Sequence, residues 1–121
     1  MKKETSLGII GQGAWGSALK EVYARAGRDV AFVTNASHAR DIMLLAVPAQ
    51  AVRDVCAGFA DTSATIVICA KGIELRTGKL MHEVVQEVLP RAQSAILSGP
   101  NFAHEIKEGK PAASAIAAVN M

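Results

Sequence analysis

The chain has 121 residues, half of them apolar and a fifth charged, with a formal net charge of +2. Too apolar for a disordered tail, it also lacks the basic blocks and the aromatic content, 4% here, of a platform that grips or stacks nucleic acid. No uncharged run reaches the ~18 strongly apolar residues of a membrane span, and Met1-Lys2-Lys3-Glu4 does not lead into the apolar stretch of a secretion signal, so a cytoplasmic protein with no membrane span and no nucleic-acid partner is expected.

Ser6–Ile10 reads as a buried strand that runs straight into Gly11-Gln12-Gly13-Ala14-Trp15-Gly16. Trp15, Ala18, Leu19, Val22, Tyr23 and Ala26 then fall on one face of a helix. Gly27 sits where a left-handed C-cap belongs, and Asp29–Val33 reads as a second strand. The 28 residues from Ser6 to Val33 match the ~30 of one βαβ unit. Ile42–Val47 is a further apolar strand, stopped by Pro48. Val52, Val55, Cys56 and Phe59 form a helical stripe, and Thr65–Ala70 is a strand followed by Lys71-Gly72. Thr77 is expected to cap a helix with Leu80, Met81, Val84 and Val88 on its inner face, ending near Pro90. Ser94–Leu97, the punctuation Gly99-Pro100-Asn101, a short helix over 102–107 and a last strand over 112–119 complete the chain. This alternation is that of the α/β class: a Rossmann-like, doubly wound, mainly parallel sheet with helices on its faces. Cys56 and Cys69 stand outside any CxxC spacing and read as buried small hydrophobes. His38, His82 and His104 lack partners at ligand spacing, so no metal is expected.

Gly11, Gly13 and Gly16 complete a GxGxxG with a strand before it and a helix after it. The first glycine permits the tight turn, the second lets the backbone approach a diphosphate, and the third lets helix and strand pack closely. The helix N-terminus adds unpaired N–H groups and partial positive charge. A dinucleotide site is expected here. The acidic residue that would meet the ribose hydroxyls some 20 positions on is absent. Thr34, Asn35 and Ala36 stand there instead; Asn35 can bond a hydroxyl without charge, and Arg40 can meet a 2′-phosphate. The cofactor is therefore NAD or NADP, with the choice left open.

Three further segments follow the loop in order: Leu44-Leu45-Ala46-Val47-Pro48-Ala49-Gln50, Ala70-Lys71-Gly72-Ile73-Glu74, and Leu97-Ser98-Gly99-Pro100-Asn101-Phe102-Ala103-His104-Glu105. With Gly11–Leu19 they resemble NAD(P)-dependent glycerol-3-phosphate dehydrogenase of the bacterial type, over most of residues 6–118. The resemblance implies reduction of dihydroxyacetone phosphate by hydride transfer, giving sn-glycerol 3-phosphate for phospholipid synthesis. It implies that Ala14 and Trp15 meet the cofactor beside the glycine loop and that Pro48 borders the nicotinamide side. Lys71 would touch both cofactor and substrate, Gly99 and Asn101 glycerol phosphate, and Ala103 the cofactor, while Asn35 lies near the adenosine end. Lys71 follows a buried strand and so sits at the carboxyl end of the sheet, where open α/β folds bind ligands.

The chain departs from the family in two places. Only eight residues, Thr34 to Asp41, join Val33 to Ile42. If the Ile42 strand lies beside the first strand, this link spans roughly 20–25 Å against a reach of ~27 Å, a taut loop with no room for a crossover helix. The domain is thus read as shortened around residues 34–41. The family's helical substrate domain, which carries its general-acid lysine, is expected beyond Met121, so no catalytic residue is assigned within the chain and the chain alone is expected to be inactive. The last strand leaves an edge open to a second copy, which makes a homodimer one expected assembly. Two other readings stand beside this one: a related dehydrogenase of the 6-phosphogluconate or ketopantoate type, against which the Ser98–Ala103 segment argues, and a non-catalytic nucleotide-binding module.

Overall fold

The structure, a computed structural model, describes residues 5–99, 105, 107–109 and 115–118. Six strands form one sheet: β1 (Leu7–Ile10), β2 (Val30–Phe32), β3 (Ile42–Leu45), β4 (Thr65–Ile68), β5 (Gln93–Ser98) and β6 (Ala115–Ala118). Their spatial order is β2-β1-β3-β4-β5-β6, parallel throughout except that β6 runs antiparallel to β5. Side chains alternate across the sheet as the pleat requires. Leu7, Ile9, Leu44 and Val67 pack on one face with Leu19, Trp15 and Tyr23 of helix α1 (Ala14–Arg25). Ile10, Met43, Leu45, Ile66 and Ile68 pack on the other, beneath Val52 and Cys56 of α2 (Val52–Ala57) and Met81, Val84 and Val85 of α3 (Met81–Val88). Ile9, Met43, Leu45 and Ile68 are fully buried, each contributing about 1.5–3 kcal/mol. With helices on both faces of a mainly parallel sheet, the fold is the expected Rossmann-like one. Among the described residues no helix is long and apolar enough to cross a membrane, and no cluster of His, Cys, Asp and Glu is placed to hold a metal ion.

Gly27 takes φ +78°. Its N–H donates to the Ala24 carbonyl and that of Arg28 to the Tyr23 carbonyl, closing α1 with paired bonds. The expected helix start at Thr77 gives way to one at Met81. The Thr77 hydroxyl donates to Glu74 (2.5 Å) and accepts the Lys79 N–H (3.3 Å), which makes it part of a tight turn. The Glu83 carboxylate accepts the Leu80 N–H at 3.0 Å and caps the helix there. Leu80 lies 47% exposed instead of facing inward.

The link between β2 and β3 carries a single 3-10 turn, Ala36–His38, and no α-helix. It returns across β1 on the face opposite α1. A Cβ on Gly8 would lie 2.5 Å from Val33 Cγ2 and 2.9 Å from Arg40 Cγ, so this crossing needs a glycine beneath it. A clamp closes the return, with the Ser6 N–H donating to Asp41 Oδ2 (3.0 Å) and the Asp41 N–H to Ser6 Oγ (2.9 Å).

Candidate functional site: a groove at the carboxyl ends of the strands

The carboxyl ends of β1, β3, β4 and β5 open onto one groove of about 540 Å³. Gly13, Ala14 and Trp15 wall it after β1, Ala46 to Ala49 after β3, Cys69 to Lys71 after β4, and Leu97 to Gly99 at the end of β5. It lies beside the β1/β3 boundary, where the strand order reverses direction and such sheets bind ligands.

The three loop glycines do different work. Gly11 holds φ +111°, and a Cβ on it would lie 2.2 Å from the Ala46 carbonyl oxygen. One on Gly16 would lie 1.9 Å from the Gly11 carbonyl oxygen. Both glycines are packed against backbone. Gly13 is extended (φ −76°, ψ −162°), and a Cβ there would meet nothing within 4 Å. Behind it α1 begins with no side-chain cap and no acidic residue in its first turn. Its first amides therefore face the loop without a competing carboxylate, and open space lies before them at Gly13. These features fit the diphosphate of a dinucleotide.

Trp15 and Pro48 both line the groove. Lys71 is exposed, and its Nζ donates to the Gly99 carbonyl oxygen at 3.1 Å, joining two of the expected substrate residues. Asn35 does not line the groove. Its Oδ1 caps the 3-10 turn, accepting the Ser37 N–H at 3.0 Å and the Ser37 hydroxyl. Asn101 and Ala103 lie outside the described residues. Both cysteines are free: Cys56 is buried in the core, and Cys69 is half-buried at the groove. Desolvation pushes each thiol up to about 11.

The profile of the NAD-dependent glycerol-3-phosphate dehydrogenase N-terminus matches residues 32–121. The chain belongs to this family. A glycerol-3-phosphate dehydrogenase (NAD(P)+) of Acidiphilium cryptum is 37% identical over 147 positions, covering 97% of this chain and 46% of the relative. One of Bradyrhizobium sp. (strain BTAi1) is 38% identical over 149 positions, with 93% and 46% covered. The chain thus spans about half the length of the curated relatives it matches. Because 147 aligned positions exceed the 121 residues present, at least 26 positions of the first relative have no counterpart here. Among solved structures, glycerol-3-phosphate dehydrogenase of Coxiella burnetii superposes with a TM-score of 0.82 at 24% identity, covering 97% of this chain and 47% of that one. The Saccharomyces cerevisiae enzyme gives 0.77 at 20%, covering 96% and 48%. These two likenesses establish the fold. The family's cofactor is NAD(P), in keeping with the geometry at Gly13.

Beside the groove lies a polar cluster centred on a buried carboxylate. Glu74, 4% exposed, is the buried charged residue of the described chain. Its carboxylate is forked by Arg53, Nε to Oε2 at 2.9 Å and Nη2 to Oε1 at 3.0 Å. Arg53 reaches on to Glu87 of α3 (3.2 Å), which also meets Lys79. Gln50 bonds twice to the same loop: its Nε2 donates to the Ile73 carbonyl and its Oε1 accepts the Leu75 N–H, both at 2.9 Å. Glu74 and Gln50 stand in the quoted motifs, and an acid two residues past a motif glycine was the available signal. Arg53 and Glu87 carried none.

The hydrogen bonds from Arg53 and then from Thr77 lower the Glu74 carboxyl from 4.5 to about 2, and Arg53 and Lys79 lower Glu87 as well. A carboxyl lowered on folding stabilises the protein above its unfolded pKa and loses that contribution as pH falls through the folded one. The thermal midpoint is therefore expected to drop steeply between pH 4.5 and about 2. Glu74→Gln should start lower at neutral pH and show a flatter profile in that window. Parallel melting profiles for the two proteins would remove Glu74 as the source.

Proposed function

We propose that this chain is the cofactor-binding part of an NAD(P)-dependent sn-glycerol-3-phosphate dehydrogenase. The whole protein would reduce dihydroxyacetone phosphate to sn-glycerol 3-phosphate, supplying phospholipid synthesis. The observation that carries this reading is the open space at Gly13, set before the uncapped start of α1 at the mouth of a groove walled by Pro48 and Lys71. When bound, the reduced nicotinamide supplies the hydride. The amides of Ala14 and Trp15 hold the diphosphate, with Gly11 and Gly16 fixing the turn that aims them. Trp15 would meet the cofactor beside the glycine loop, and Pro48 would border its nicotinamide side. The Lys71 ammonium, which bonds the Gly99 carbonyl, would face negative charge on the substrate and stabilise an oxyanion at its carbonyl. Gly99 and Asn101 complete the substrate contacts, Ala103 lies against the cofactor, and Asn35 meets the adenosine end. In this reading the domain is shortened at residues 34–41, where eight residues cross β1 with one 3-10 turn. Residence in the cytoplasm and pairing of two copies along the edge strand β6 belong to the same proposal, and size-exclusion chromatography tests the second.

Trp15 is the chain's single tryptophan and lines the groove, so its emission should fall by energy transfer as NADH or NADPH binds. Lys71→Ala is expected to weaken that binding about tenfold, as loss of a charge-assisted hydrogen bond does. Equal affinity would remove Lys71 from the site. In the complete protein, turnover of dihydroxyacetone phosphate but not of 6-phosphogluconate or ketopantoate is the outcome that separates this family from its neighbours.

A further inference from the structure

The residues that place Lys71 are not the usual apolar anchors. Lys71 begins a loop that folds back on itself: Glu74 N–H donates to the Lys79 carbonyl at 2.8 Å, Gly78 N–H to the Glu74 carbonyl at 2.7 Å, and Ile73 bridges to Leu80. Its large apolar side chains point to solvent, with Ile73, Leu75 and Leu80 at 50%, 85% and 47% exposure. Little hydrophobic burial therefore fixes where this loop sits. What ties it to the body of the domain is polar: the Arg53 fork on Glu74, and the two bonds from Gln50.

Gln50 is the nearer of these ties to the groove. It stands two residues after Pro48 and bonds the loop two and four residues after Lys71, so it straps one groove wall to the other. The walls come close between these points. Gly72 holds φ +128°, and a Cβ on it would lie 3.5 Å from Ala49 Cβ. A side-chain amide that donates to one backbone group and accepts from another two residues away acts like a rung of a sheet, fixing distance and direction at once. Glu74, held on its far side by Arg53, keeps the strapped loop from rolling.

We propose that Gln50 is a positioning residue that sets the spacing between the Pro48 and Lys71 walls and thereby holds the Lys71 ammonium where the bound cofactor meets it. This rests on the functional reading above. Its signature is coupling: removing the strap should matter only while Lys71 is present.

The test is a double-mutant cycle on the 121-residue chain, with NADH affinity read from Trp15 energy transfer. Thermal melting confirms that each variant is folded. Gln50 is exposed, so Gln50→Ala should fold. It is expected to weaken NADH binding about fivefold in the parent, the scale of one or two net hydrogen bonds, and by less than twofold in the Lys71→Ala background. Gln50→Glu keeps the bond to Leu75 but sets a carboxylate oxygen against the Ile73 carbonyl, and should weaken binding at least as much as Gln50→Ala. Equal losses in both backgrounds, or no loss in Gln50→Ala while Lys71→Ala binds poorly, overturn the positioning role and leave the cofactor site standing. A parent chain that does not bind either reduced cofactor, or a Lys71→Ala chain that binds as well as the parent, overturns the underlying reading and the inference with it.

Discussion

Gly13→Val should fold and melt like the parent chain yet lose at least about tenfold in affinity for NADH and NADPH. Nothing lies within 4 Å of the position a Cβ would take at Gly13, and its backbone is in an extended region that valine adopts freely. The fold therefore has no reason to resist the substitution. The ligand does. A diphosphate held by the first amides of α1 must approach the loop backbone at the distance of an N–H···O bond, and a branched side chain beside those amides holds it off. The measurement pairs a thermal melt with a Trp15 energy-transfer titration. An unchanged affinity would mean that this glycine shapes the turn and nothing more, and would take the cofactor site away from the loop.

Gly16→Ala should do the reverse, with a loss of about 3 kcal/mol or more in stability, seen as a drop of roughly 10 °C in melting temperature. Its Cβ would lie 1.9 Å from the Gly11 carbonyl oxygen and 2.9 Å from the Gly11 carbonyl carbon. Neither atom is the end of a flexible chain. Both belong to the turn that is itself pinned by Gly11 against Ala46, so relief requires α1 to move off β1. That motion uncovers Leu19, which is packed with Ile9 and Leu7. A melt within about 2 °C of the parent would show that helix and turn separate at little cost. Taken as a pair, the two variants distinguish a glycine kept for the ligand from one kept for the fold.

The strands were legible because parallel strands buried on both faces must be nearly continuous in Ile, Leu and Val, and Met43–Leu45 and Ile66–Ile68 are. The taut link was legible from reach alone, since eight residues cannot hold a crossover helix and still return to the start of β3. Gly8 was harder to read. Its need for a hydrogen at Cα arises from Val33 and Arg40, which pass over it only once the link has folded. The start of α3 was misplaced because Thr77 and Glu83 both carry capping chemistry, and only the buried Glu74 decides that the threonine hydroxyl is spent elsewhere. Of the candidate site, the glycine loop, Pro48 and Lys71 came together in one groove as motif order implied. The Gln50 and Arg53 ties did not show in the chain, because their partners lie 21 to 34 residues away and lone polar side chains leave no periodic trace.

The shortcut over Gly8 also bears on how such a sheet can change length. Every interior strand depends on two neighbours, whereas β2, at the border of the described sheet, is paired with β1 alone. Trimming or grafting sequence between β2 and β3 leaves each remaining rung of the ladder with the partner it had, and asks only that the path across β1 stay slender. The β2 border, near which the resemblance sets the cofactor's adenosine, is thus a margin of the domain that can be trimmed, while the groove opens at the ends of interior strands that cannot be exchanged one at a time.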